Sequence, residues 1–164
     1  MVSCLTGLKA GILEEMVFRG YVMKLLEKRW NSYIAILIPS FVFSLFHIPA
    51  IENKNMVSIL LVVVSGTLVG TMFSLIAYES KSISNSILVH FLWNLIFITD
   101  ILQISTPQQT YGHPIFSLSI PSEHIWITGG GFGIEASLIA VIGYAIVCLL
   151  VISNSTFSRF PTTN

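Results

Sequence analysis

Charge is what this sequence has least of: only 10% of its 164 residues are Asp, Glu, Lys or Arg, against roughly a quarter in ordinary soluble domains. Eight basic residues balance eight acidic ones, and the tightest basic grouping is Lys24, Lys28 and Arg29. No stripe for a nucleic-acid backbone exists, so that class of partner is excluded. Cysteine is nearly absent. Cys4 and Cys148 stand far apart, without the paired spacing of a zinc site or a disulfide framework, and read as small packing residues. No H-E-x-x-H stretch occurs, so any metal site would have to be assembled from several helices. A secretory signal is lacking too, because Glu14 and Glu15 interrupt the first apolar stretch. Internal repeats and low-complexity tracts are missing, which removes the simplest inverted-repeat transporter.

What is present is apolar length. With 54% hydrophobic residues and a mean hydropathy of +0.82, the chain reads as all-α: a polytopic transmembrane helical bundle of about five spans in a single domain, 1–164, held in a lipid bilayer. Residues 56–78 form the clearest span, uncharged between Glu52/Lys54 and Glu79/Lys81. Further spans are expected over 84–105, 135–152, 33–48 and 5–23. The last of these holds Lys9, Glu14, Glu15 and Arg19 and inserts poorly unless neighbours receive its polar face. The connection 106–134 contains Pro107, Pro114, Pro121 and the Gly129-Gly130-Gly131 run but no Lys or Arg, which places it away from the cytoplasm. Threading the spans then puts Lys24, Lys28, Arg29, Lys81 and Arg159 on the cytoplasmic face, and Lys9 and Lys54 opposite. Gly66 and Gly70 form a G-x-x-x-G pair suited to close packing within the molecule.

Inside these apolar segments sit polar residues at i, i+4 spacing. Ionisable groups in hydrocarbon cost about 2.5–3.5 kcal/mol each on insertion scales, so they persist where they pair, line a cavity or do chemistry. Glu15 and Arg19 share a helix face, while Glu14 points about 100° away. One carboxylate is free to hold the arginine and the other to accept a proton; the bland alternative is that both neutralise Arg19. Phe43 and His47 share a face one turn before Pro49, and a lone histidine there equally fits a satisfied core residue. His90 and Asn94 share another face, where the bland reading is an interhelical hydrogen bond. A carboxylate and an imidazole together deprotonate water, and a second imidazole with a carboxamide stabilises the oxyanion of a peptide undergoing attack. Glu14, His47 and His90 equally describe a divalent-metal site, zinc above all, with one open position. Sequence leaves both mechanisms open. Counting from the cytoplasmic end, His90 lies about 9 Å deep, Glu14 about 15 Å and His47 about 21 Å, so convergence requires tilt or a deep-starting fourth span.

EEMVFRG at 14–20, FSLFH at 43–47 and HFLWN at 90–94 resemble the EExxxR, FxxxH and HxxxN motifs of the CAAX protease and bacteriocin-processing (CPBP) family of intramembrane endopeptidases, often labelled metalloproteases. The motifs stand in the family's order, within about residues 7–103. The resemblance implies hydrolysis of a peptide or membrane-protein substrate, with Glu14 catalytic, His47 activating water, and His90 and Asn94 stabilising the oxyanion. Glu15, Arg19 and Phe43 take supporting roles. For the bacterial type it implies a multi-pass protein of the plasma membrane. Family members usually carry several helices before EExxxR, whereas 13 residues precede Glu14 here, a departure that fits a fragment lacking N-terminal helices, an alternative start or a minimal variant. Two rival functions remain: a non-catalytic partner such as a bacteriocin self-immunity protein, and a small transporter favoured only by Asp100. His113 and His124 read as solvated loop residues, and Glu123 beside His124 is too weak a pair to use.

Overall fold

A computed structural model describes residues 2–52, 54–97, 102–106 and 114–154. Asp100, His113 and Arg159 therefore lie outside the described residues. The chain begins with α1 (Val2–Glu15), which continues without a break through a π-helical stretch, Met16–Val22, into α2 (Met23–Arg29). Then come α3 (Ser32–His47), α4 (Met56–Ser80) and α5 (Ile83–Phe97). Two short strands follow, β1 (Leu102–Ser105) and β2 (Phe116–Ser119), then α6 (Ile125–Thr128) and α7 (Leu138–Ser153). Among the described residues the architecture is an all-α bundle with one marginal strand pair.

Local chemistry sets the helix ends. Asn31 and Asn55 cap α3 and α4, their side-chain oxygens accepting from Ile34 N–H at 2.9 Å and Ser58 N–H at 2.8 Å. Ser137 caps α7 by accepting from Ala140 N–H at 3.1 Å, as a short polar side chain does at a helix N-terminus. That cap explains why Glu135, expected to open the last span, lies outside it. Lys81, at φ 54°, ends α4 in a Schellman arrangement: Ser82 N–H donates to Ala77 O and Lys81 N–H to Tyr78 O.

The span expected over 84–105 is corrected. Its helix ends at Phe97, and Leu102–Ser105 pairs in parallel with Phe116–Ser119. Hydropathy averages over apolar content and misses period; Leu-Gln-Ile-Ser alternates in twos, and Pro107 just beyond cannot continue a helix. Among the described residues, two helical segments are long and apolar enough to cross a membrane, Ser32–Ala50 and Met56–Ser80, while Ile83–Phe97 and Leu138–Ser153 are shorter apolar helices.

Helix α4 is the centre, packed on α3, α5 and α7, while α1 packs antiparallel to α5. Its contact with α3 is the closest. A Cβ on Gly66 would lie 2.8 Å from Ser44 Cβ, and one on Gly70 would lie 3.0 Å from Ser40 Cα. The G-x-x-x-G pair thus faces an S-x-x-x-S pair. Those serines satisfy their hydroxyls within α3, Ser40 donating to Ile36 O at 2.6 Å and Ser44 to Phe41 O at 2.7 Å, so small residues line both sides of the seam. Cys148 is buried, its thiol 3.9 Å from Leu68 O, and Lys24 and Lys81 border one pocket at the α4–α5 turn.

Substituting alanine at Gly66 or Gly70 is expected to wedge α3 from α4 and cost about 1–3 kcal/mol, the usual penalty of overpacking. Thermal unfolding of the two variants in detergent, compared with Gly143→Ala, where a Cβ meets nothing within 4 Å, measures the difference.

Candidate active site

Arg19 organises the polar interior. It sits in the π-helical stretch with no exposed surface, a kind of helical irregularity that recurs at functional sites. Its guanidinium donates to Glu15 Oε1 at 2.8 Å, Gly70 O at 2.7 Å and Ser74 Oγ at 3.2 Å. The rings of Phe18, Phe43 and Phe73 surround it, 5.1–5.8 Å from Cζ to their centroids. One planar cation thereby joins the first helix to the middle of α4, using a rigid, planar fork of donors that an ammonium lacks.

Glu15 is saturated. Oε1 also accepts from His90 Nδ1 at 2.9 Å, and Oε2 accepts from Ser86 Oγ. The carboxylate is fully buried and spans α1 to α5. Glu14, one residue earlier, is half-buried, with Oε2 at 3.7 Å from His90 Nε2, beyond direct hydrogen-bond range. His90 therefore stands between two carboxylates, held on one side and faced on the other. Its ring stacks on Phe73, centroids 4.6 Å apart at 14°, and meets Phe43 edge-on at 6.1 Å. Asn94, one turn on, is buried and donates Nδ2 to Gly7 O at 3.0 Å. Gly11 of α1 packs directly against this face, where a Cβ would meet His90 Cγ at an ordinary contact distance of 3.7 Å.

His47 ends α3. Its Nδ1 lies 2.8 Å from Phe43 O; a carbonyl only accepts, so Nδ1 carries the hydrogen and Nε2 presents a lone pair. The Phe43 ring lies beside it, centroids 4.4 Å apart and tilted by 42°, which gives FxxxH a physical meaning: the phenylalanine supplies both the carbonyl and the ring that orient the imidazole. Depth is reconciled because α5 starts beside Gly20, whose Cβ would lie 3.7 Å from Ile83 Cδ1, and not beside the end of α2.

A cavity of about 290 Å³ receives His47, His90 and Asn94. Phe43, Phe73 and Trp93 form apolar walls, and Glu135 and Tyr144 close the side toward the connection. Glu14 does not line this cavity and reaches it through His90. Among the described residues no three His, Cys, Asp or Glu side chains gather where a metal could be held; Glu14, His47 and His90 do not form such a set, and Glu15 occupies Nδ1 of His90. His124 is solvent-exposed.

Two contributors escaped the motif reading. Ser86 extends the His90/Asn94 face by one more i, i+4 step, a visible signal. Glu135 had only its rarity to mark it, the last acid of the chain. It lies in a 3-10 turn ahead of α7, with Oε2 at 3.4 Å from Trp93 Nε1 and its own carbonyl accepting from Tyr144 OH at 3.0 Å. Burial pushes its carboxyl up to about 7, against the smaller opposite pull of the Trp93 N–H.

A protein-family model described as type II CAAX prenyl endopeptidase Rce1-like matches residues 1–96. Comparison with curated proteins and with solved structures gave no match.

Replacing Arg19 with Met should destabilise the protein by about 3–5 kcal/mol, the cost of leaving a buried ion without its partner, and Arg19→Lys should recover little of it; chemical unfolding in detergent reads both. Glu135 binds its proton more tightly in the folded chain than in the unfolded one, where the ordinary value is 4.5. Stability should therefore fall as pH rises from about 4.5 to about 7, by about 3 kcal/mol at most. In Glu135→Gln, unfolding midpoints measured across that range should lose this part of the slope.

Proposed function

The chain belongs to the CAAX protease family, through its match to the Rce1-like type II CAAX prenyl endopeptidases over residues 1–96, and from that premise we propose that it is a multi-pass intramembrane endopeptidase formed by one domain. The observation that carries this reading is His90, gripped at Nδ1 by Glu15, faced at Nε2 by Glu14, and opening with His47 and Asn94 into one cavity. Its substrate is a peptide or a membrane-protein segment.

The residues divide the work as follows. Glu14, the carboxylate without a fixed cationic partner, stands behind His90 and outside the cavity lining, so it takes the proton of the attacking water through a relaying water, while the Nε2 lone pair of His47 holds the attacking water by its other hydrogen. The water oxygen bonds to the scissile carbonyl carbon, and the carbonyl π electrons move onto its oxygen. His90 and Asn94 receive that oxyanion. Because Nδ1–H of His90 is committed to Glu15, Nε2 donates only when the ring carries a second proton. Asn94 contributes its remaining N–H, since one is spent on Gly7 O. Collapse restores the carbonyl, breaks the C–N bond, and the proton held by Glu14 passes to the departing amine. Glu15, Arg19 and Phe43 position the others.

The second reading, a non-catalytic membrane partner such as a self-immunity protein, draws on one observation: Asn94 is already used as an interhelical strut.

Glu14→Gln should abolish cleavage of membrane peptides in liposomes while leaving the unfolding midpoint within error, because it removes the base and keeps the shape. Asn94→Ala should slow turnover by about 100- to 1000-fold, the usual loss for one oxyanion donor. Full activity in Glu14→Gln would sink the protease reading, and preserved biological function in that variant would favour the non-catalytic one.

A further inference from the structure

The acid that closes the cavity has no part in the hydrolysis just described. Glu135 reaches the cavity from the connection ahead of α7, outside the residues that match the family model. One carboxylate oxygen is bonded to Trp93 Nε1, and no Lys, Arg or His side chain pairs with the group among the described residues. The lining includes no Lys or Arg at all. The other titratable groups facing it are His47, His90 and Tyr144.

The turn that presents it is built for that placement. Gly129 and Gly133 adopt φ 75° and 102°, and a Cβ on Gly129 would strike Gly133 O at 1.8 Å, so glycine is required there. Tyr144 OH fixes the Glu135 carbonyl from α7, Glu52 N–H donates to Gly131 O at 3.0 Å, and Phe132 meets His47 edge-on at 6.1 Å. Glu135 and the catalytic histidine are thus carried on opposite sides of one rigid corner. Around the carboxylate stand Trp93 and Tyr144, ring centroids 5.0 Å apart, with Phe97 against Trp93 at 4.2 Å.

A half-bonded carboxylate beside aromatic side chains is a receptor for a cation. The acid supplies the charge, and the apolar wall of Trp93, Tyr144 and Phe97 accepts an alkyl stem. We propose that Glu135, with Trp93 and Tyr144, forms a subsite that selects substrates carrying a lysine-type or arginine-type side chain near the scissile bond. This rests on the endopeptidase reading for the word substrate; the cation site itself does not. The elevated affinity of Glu135 for a proton fits an acid that waits for a positive partner the protein does not provide.

The test uses the full chain in phosphatidylcholine nanodiscs, carrying Glu14→Gln so that bound peptide survives. Three labelled, end-capped apolar hexapeptides differ only at one central position: lysine, its uncharged isostere norleucine, or glutamate. Fluorescence anisotropy should give about 10- to 100-fold tighter binding of the lysine peptide than of the norleucine peptide, the range of a charge-assisted bond. The ratio should fall to within about two-fold when Glu135→Gln is added, persist in part in Glu135→Asp, and turn toward the glutamate peptide in Glu135→Lys. Equal binding of the lysine and norleucine peptides, or a ratio indifferent to Glu135→Gln, overturns the proposal. Cleavage of the same peptides by the chain with Glu14 intact is scored separately: none cut, with the lysine preference retained, means that the cation site stands and the endopeptidase reading fails.

Discussion

The polar network that joins α1, α4 and α5 hangs on one buried guanidinium. Arg19 cannot shed its charge, and the apolar helices around it offer no water, so the fold must supply acceptors in three directions. Glu15 lies on its own helix; Gly70 and Ser74 are one turn apart on α4. Once Glu15 is fixed by that cation, its second lone pairs reach α5 through Ser86 and His90. A single charge therefore sets the mutual position of three helices. The pairing is costly in desolvation and weak evidence for stability by itself. What it provides is register: no slid arrangement of α1, α4 and α5 satisfies all of these groups together.

Close packing is the companion constraint. Gly70 both gives its carbonyl to Arg19 and allows α3 to approach within contact distance through Ser40. The absence of a side chain is therefore used twice, once to admit a neighbouring backbone and once to leave a carbonyl reachable from the side. Gly7, on α1, likewise gives its carbonyl to a side chain of another helix, Asn94. The small residues of the sequence mark where backbones meet, and the site occupies the spaces between those meeting points.

Much of this was legible before any coordinates, and what was legible shares a cause. Features set by the turn of one helix could be read from spacing: Glu15 facing Arg19, Glu14 turned away, Phe43 behind His47, His90 above Asn94. The all-α architecture and the Gly66/Gly70 seam followed from apolar content and residue size. Features that depend on which helix lies opposite could not. Nothing in the spacing tells that Glu15 would also hold His90, that Asn94 would spend a hydrogen on Gly7, or that Trp93 would find Glu135 more than forty residues away. The extended segment after Phe97 was missed because apolarity was weighed and alternation was not. Glu135 was read as the edge of a span; its position inside a cavity follows from glycine conformations at 129 and 133, which are visible only as composition in the sequence.

The wide turn of Met16–Val22 has a meaning for comparing chains. A π-helical stretch holds one residue more than the α-helix that would join the same two ends. A related chain one residue shorter between Glu15 and Met23 could keep both ends where they are and carry a regular helix between them. Aligned by eye, the two would differ by a gap inside an uninterrupted helix, at the arginine itself. The spacing of EExxxR is therefore a statement about backbone winding as much as about side chains, and counting along an ideal helix past Arg19 assigns the following residues to the wrong face.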